Sequence, residues 1–183
     1  IKHMTFCRDW LVLPMRACLH TRNLVIYRTT DISLETKKIN MVEVDINLVA
    51  RIVFGVARGE PEEGQLAVAY SVVNRMSVPG YPNDIYKVVY QRSNNKYLYE
   101  TLDDKDHQEA WKDAIQRNTD ERQNALRLAT DALLGRRPDP TLGATTFFSS
   151  DPDTATSNNP FFEAFGKIKI GNLYFVYRRP RAR

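Results

Sequence analysis

From about Asp45 onward, apolar residues recur at helical spacing. Leu48, Val49, Ile52, Val53 and Val56 fall on one face of a predicted helix. Asp45 or Asn47 can cap its start, and Gly59 and Pro61 end it. Pro61 then opens a second helix, because its fixed φ suits a first turn. Glu62 and Glu63 follow where the helix dipole favours negative charge. Leu66, Ala69, Tyr70, Val73 and Met76 form the inward stripe of that helix. Residues 79–84 are dense in turn formers, and residues 91–96 are polar and turn-like. A third helix is predicted over about 107–117, burying Trp111, Ala114 and Ile115. A fourth is predicted over about 120–134, with Leu126, Ala129 and Leu133 inward. Gly135 stops it, and Arg136 and Arg137 sit near its negative end.

The period then changes. Residues 144–148 have strand composition, and residues 168–175 read as a hairpin with Gly171 and Asn172 at the turn. Helices first and a short sheet later predict an α+β domain. Residues 1 to about 40 show no clean period beyond a possible short strand at 24–27. The expected organisation is an N-terminal extension over 1–44, a domain over 45–177 and a basic tail over 178–183.

Charge and composition narrow the partners. The net charge of +4 and pI of about 9.1 fit an anionic partner such as cell wall, nucleic acid or an acidic surface. Part of that charge lies in the tail, at Arg178, Arg179, Arg181 and Arg183, which reads as a solvated terminus. This weakens the case for nucleic acid. No apolar run approaches the ~20 residues that a membrane span needs. Cys7 and Cys18 are too few for a disulfide framework, and one bond or two free thiols fit equally well. Gly-rich phosphate loops, His-Glu-x-x-His and Gly-x-Ser-x-Gly patterns are missing from the sequence. His3, His20 and His107 have no ligand spacing, so neither metal nor cofactor is expected.

Four ordered segments carry a further signal. The first runs from Ala50 through Phe54-Gly55-Val56-Ala57-Arg58-Gly59-Glu60-Pro61 to Ala69. The second is Val72-Val73-Asn74-Arg75 with Pro79-Gly80-Tyr81-Pro82. Then come Gly143-Ala144-Thr145-Thr146-Phe147-Phe148 with the residues up to Ser157, and Ile170-Gly171-Asn172. Together they resemble the spore-cortex-lytic and cell-wall hydrolase family of bacterial peptidoglycan enzymes, over about residues 45–177. The resemblance implies a lysozyme-like α+β fold with a small C-terminal antiparallel sheet, related to the soluble lytic transglycosylases. It implies cleavage between N-acetylmuramic acid and N-acetylglucosamine in peptidoglycan, by one glutamate and without a metal. That glutamate protonates the leaving oxygen, then helps the sugar's own 6-hydroxyl close an anhydro ring. It also implies an extracellular or wall-associated location, although no export signal is visible in the sequence.

The family pattern reads Glu-Ala-Arg-Gly-Glu, and here it is Val56-Ala57-Arg58-Gly59-Glu60. Val56 stands at the family's acid position and has no proton to give. Glu60 is the obvious substitute, one helical turn along if the helix persists. Its other reading is structural, accepting backbone N–H groups at the start of the next helix. The alternative to an active enzyme is a catalytically silent relative that binds peptidoglycan or a chitin-like glycan. For substrate contact the resemblance points to Tyr90, Gln91, Tyr97, Thr146 and Phe148. Asn74 and Arg75 are expected to close the second helix by hydrogen bonding. The family's histidine after Gly-Asn is replaced by Leu173.

Overall fold

A computed structural model describes the backbone of residues 29–152 and 165–178, and the side chains of 42–152 and 166–177. Cys7, Cys18, His3, His20, the expected strand at 24–27 and all of the basic tail beyond the backbone of Arg178 lie outside the described residues. The chain forms two compact units, residues 1–40 and residues 41–183. Of the first, helical backbone over 29–40 is described.

Helix α1 spans Thr29–Ala57 and so begins well before the expected start near Asp45. Residues 29–54 contain neither Pro nor Gly, and nothing local breaks the helix there. Neither Asp45 nor Asn47 is therefore a cap. The Asn47 side chain instead donates to the carbonyl of Glu43 at 2.9 Å, within the helix. The predicted apolar face is real: Val49, Ile52 and Val53 are fully buried, while Leu48 and Val56 pack half-buried at its margin. The helix stops after Ala57, where the Glu60 amide donates to the Ala57 carbonyl at 2.9 Å in a turn.

Helix α2 (Glu62–Arg75) starts behind Pro61 and is the centre of the domain. Every residue from Gly64 through Val72 is buried, a wider surface than one amphipathic stripe. Small residues at Gly64, Ala67, Ala69 and Ser71 let neighbours approach on several sides. Two of its buried polar side chains, Gln65 and Ser71, are hydrogen-bonded. The Gln65 amide donates to the Glu60 carbonyl at 2.9 Å and accepts from Asn124 at 2.9 Å, and the Ser71 hydroxyl donates to the Val68 carbonyl.

A short helix lies between the two turn-like segments, and a hairpin occupies the second of them. Asp84 caps a short helix α3 (Ile85–Val89), accepting from the Lys87 amide at 2.9 Å. Strands β1 (Arg92–Ser93) and β2 (Lys96–Tyr97) form a small hairpin. Asn94 and Asn95 at its tip have φ of 50° and 67°, the left-handed geometry that two-residue hairpins need and asparagine tolerates. A 3-10 helix at Glu100–Leu102 follows.

Helix α4 (Lys105–Arg117) is capped by Asp104 and helix α5 (Asp120–Leu133) by Thr119. Trp111 and Ala114 are buried as expected, but Ile115 is 48% exposed. The neighbours of α4 cover only a narrow stripe, and Ile115 falls beyond it. In α5 the buried apolar set is Ala125, Leu128, Ala129 and Ala132, with Leu126 and Leu133 half-buried. The stripe is thus turned from the expected one so that alanines face inward, where α5 packs against α2.

Strands β3 (Thr146–Phe148), β4 (Phe165–Ile170) and β5 (Leu173–Arg178) form an antiparallel sheet in the order β3-β5-β4. Phe175 pairs with Phe147 on one side and Ile168 on the other, and is fully buried. Gly171 makes the β4–β5 turn at φ 62°. Helices with a small C-terminal antiparallel sheet make this the α+β architecture expected from the sequence.

Candidate active site

A cleft of about 680 Å3 opens where the end of α1, the 3-10 helix and strand β3 meet. Gly55 and Val56 line it from α1, residues 98–101 from the 3-10 segment, and residues 146–150 from β3 and beyond. Arg75, His107 and Leu173 complete the lining. Val56 therefore faces the cleft, as the resemblance implies for its position.

The α1 wall and the 3-10 helix are keyed together. A Cβ at Gly55 would collide with the Thr101 hydroxyl and stand 2.7 Å from Thr101 Cβ. Thr101 is 5% exposed, so it has nowhere to retreat. The 3-10 helix can sit this close only because position 55 has no side chain.

Glu60 lies elsewhere. The helix does not persist through it, and its carboxylate is turned to the β4–β5 turn. Oε2 accepts from the Asn172 amide at 2.8 Å, and Oε1 accepts from Asn172 Nδ2 at 3.3 Å. A Cβ at Gly171 would run into the same carboxylate. Of the two roles open to Glu60, this geometry is that of an anchor, although the amides it holds belong to the hairpin rather than to the next helix. Glu60 does not line the cleft.

Arg75, at the end of α2, supports the opposite wall. Its Nε donates to the Thr145 carbonyl at 2.7 Å, and its guanidinium lies over the rings of Tyr81 and Tyr99 at 5.3 and 5.0 Å. Asn74 donates to Asp139 Oδ2 at 2.9 Å and to the Ala144 carbonyl at 3.0 Å. Their side chains do not close α2 itself, which ends on the Met76 amide; they reach across to residues 139–145 and hold the segment that leads into β3. Arg75 Nη1 and Tyr99 Oη are buried without a hydrogen-bond partner among the described residues. Burial pushes the Tyr99 phenol up to about 12, and the Arg75 charge opposes that rise only in part. The phenol therefore stays a neutral donor at any physiological pH.

Of the five expected sugar-contact residues, Thr146 and Phe148 line the cleft and Tyr90, Gln91 and Tyr97 do not. Tyr90 lies between Tyr86 and Tyr97, tilted against the first at 4.7 Å and edge-on to the second at 5.8 Å, and Arg92 covers the Tyr97 ring at 4.2 Å. These rings brace the β1–β2 hairpin against α3. The Oε1 atom of Gln91 is buried without a hydrogen bond among the described residues. Tyr99, which the resemblance paired with Tyr97 near the cleft, does line it, whereas sequence reasoning missed Glu100, Thr101 and His107. A three-residue 3-10 turn has no period, and the only local signal is the Asp104 cap that starts α4.

Residues 59–176 match the Cell Wall Hydrolase family, and the chain belongs to that family. Among similar proteins is the spore cortex-lytic enzyme of Halalkalibacterium halodurans, 36% identical over 127 residues, which are 67% of this chain and 33% of that protein. The spore cortex-lytic enzyme of Bacillus subtilis is 47% identical over 47 residues, 26% of this chain and 15% of that protein. The chain thus spans about one third or less of the curated relatives it matches. Among solved structures, the catalytic domain of the germination-specific lytic transglycosylase SleB from Bacillus anthracis is 28% identical, covering 73% of this chain and 93% of that one, with a TM-score of 0.47. Among the described residues, no helix is long and apolar enough to cross a membrane.

Proposed function

We propose that this chain takes glycan strands of peptidoglycan, or a related N-acetylglucosamine-containing glycan, into the cleft and cleaves the bond between N-acetylmuramic acid and N-acetylglucosamine. The observation that carries this reading is the open cleft at the place the family resemblance assigns to catalysis, with Val56 in its lining. Family membership supports the substrate class. On this reading residues 45–177 are the working domain, residues 1–44 an extension and residues 178–183 a basic tail, and the protein acts outside the cell or on the wall.

The reaction type follows the lytic transglycosylase pattern. A carboxylic acid gives its proton to the glycosidic oxygen as the C1–O bond breaks. The resulting carboxylate takes the proton of the sugar's 6-hydroxyl as that oxygen bonds to C1. The proton is returned, no water is consumed, and the product is an anhydro sugar. Glu60 serves the hairpin turn on this reading and not the acid step.

A second reading, a silent glycan binder, is favoured by Val56 itself, since an isopropyl group transfers no proton. Mass spectrometry of purified peptidoglycan incubated with the unmodified chain and with Val56→Glu separates the two. Anhydro-muropeptides from the unmodified chain establish cleavage. Products from Val56→Glu alone, together with sedimentation of the unmodified chain with peptidoglycan, establish the silent binder. If neither protein yields products nor sediments with peptidoglycan, both readings fail.

A further inference from the structure

We infer that Glu100 is the proton donor and acceptor of this cleft, in place of the carboxylate missing at Val56. The inference rests on the cleavage reading above. Among the described residues Glu100 is the one carboxylate that lines the cleft. The other candidates are committed elsewhere. Glu60 holds the Asn172 amides, Glu62 is bound by Arg127 and Arg137, and Asp151 is bound by Lys167. Glu63 is exposed on the first turn of α2, away from the cleft lining.

The backbone of Glu100 is held firmly and its side chain is not. Its carbonyl accepts from the amides of Asp103 and Asp104 at 2.9 and 3.0 Å. Tyr99 and Leu102 beside it are 4% exposed, and Thr101 is locked against Gly55. Gly55 in turn precedes Val56. The contact that positions the 3-10 helix therefore sets Glu100 on the wall adjoining the vacated acid position. The Glu100 carboxylate itself is exposed and makes no hydrogen bond or ion pair among the described residues.

An acid in a glycosidase cleft must reach the leaving oxygen and be screened from water when it does so. Val56, Leu98 and Phe148 offer apolar surface around the same opening. A glycan strand laid over them expels water, and a carboxyl group covered in that way favours its protonated form. Replacement of a glutamate by valine at position 56 also removes the like charge that a second carboxylate in one cleft would feel. His107 lines the same cleft, but its buried Nδ1 faces Asp104 at 3.7 Å, which orients the ring toward the α4 cap.

The test uses the full chain with purified peptidoglycan, read by anhydro-muropeptide yield, by sedimentation with the glycan and by thermal melting. Glu100→Gln is expected to cut product formation by about a hundred-fold or more, with sedimentation and melting unchanged. Glu100→Asp should retain part of the activity with a displaced pH–rate profile. Glu60→Gln should lower the melting temperature and keep the folded protein active. If Glu100→Gln forms product at the unmodified rate, Glu100 is not the acid while the cleavage reading stands. If the unmodified chain forms no product, the cleavage reading falls and takes this inference with it.

Discussion

Gly55 and Val56 are neighbours with opposite consequences for the cleft. Val56 offers the cleft an isopropyl group with no proton to give, and Gly55 makes room for the segment that lines the facing wall. Alanine at position 55 would gain about 1 kcal/mol of helix propensity over glycine. It would also drive a methyl group into Thr101, a buried residue close to buried Tyr99 and Leu102. Overpacking of this kind costs about 1–3 kcal/mol, so the clash outweighs the propensity gain. Gly55→Ala is expected to lower the melting temperature and to weaken sedimentation with peptidoglycan, because the 3-10 helix must shift to admit it. A melting temperature equal to or above the unmodified protein's would show that the segment yields freely.

Elements with a local signal were legible in the sequence, and those without one were not. Helix α2 announces itself by Pro61, its acidic first turn and its apolar content, and the β4–β5 hairpin by Gly171 and Asn172. The apolar period marked only the part of α1 that meets the core. Helix α3, the β1–β2 hairpin and the 3-10 helix are shorter than any period can reveal. The site divided in the same way. Val56, Thr146 and Phe148 were found because they lie in the segments that carry the family resemblance, whereas Glu100 enters the cleft through a contact between distant segments. Between elements, Glu62 ties the start of α2 to Arg127 on α5 and to Arg137 beyond it, at 2.7 and 2.5 Å. Hydrogen bonds from Arg137 and then Arg127 hold its carboxyl below the ordinary value of 4.5. A depressed acid stabilises the fold above its unfolded pKa, and that contribution is lost as pH falls through the lower folded value. Glu62→Gln should therefore melt slightly lower than the unmodified protein at pH 7. The gap should shrink with added salt and close once the pH is well below 4.5. A gap that persists in acid would mean that packing, and not charge, is what the substitution disturbs.

For the molecule as a whole, the sheet and the helices meet through aromatic rings. Phe175 lies on the central strand, fully buried, with Phe147 at 6.0 Å and Tyr99 a further 6.4 Å along toward the cleft. Phe175→Ala is expected to cost about 3–5 kcal/mol. That is a large part of the stability of a domain of this size, and the loss should show in chemical denaturation as a lower midpoint. A loss below about 1 kcal/mol would mean that the core collapses around the vacancy.

Helix α2 has no face to the solvent between Gly64 and Val72. Its amide protons in that stretch meet water only when the surrounding helices and sheet separate from it. Local fraying exposes loops and termini first, and leaves such a helix untouched. Deuterium uptake at these amides is thus a clock for the opening of the entire domain, whether that domain cleaves glycan or only binds it.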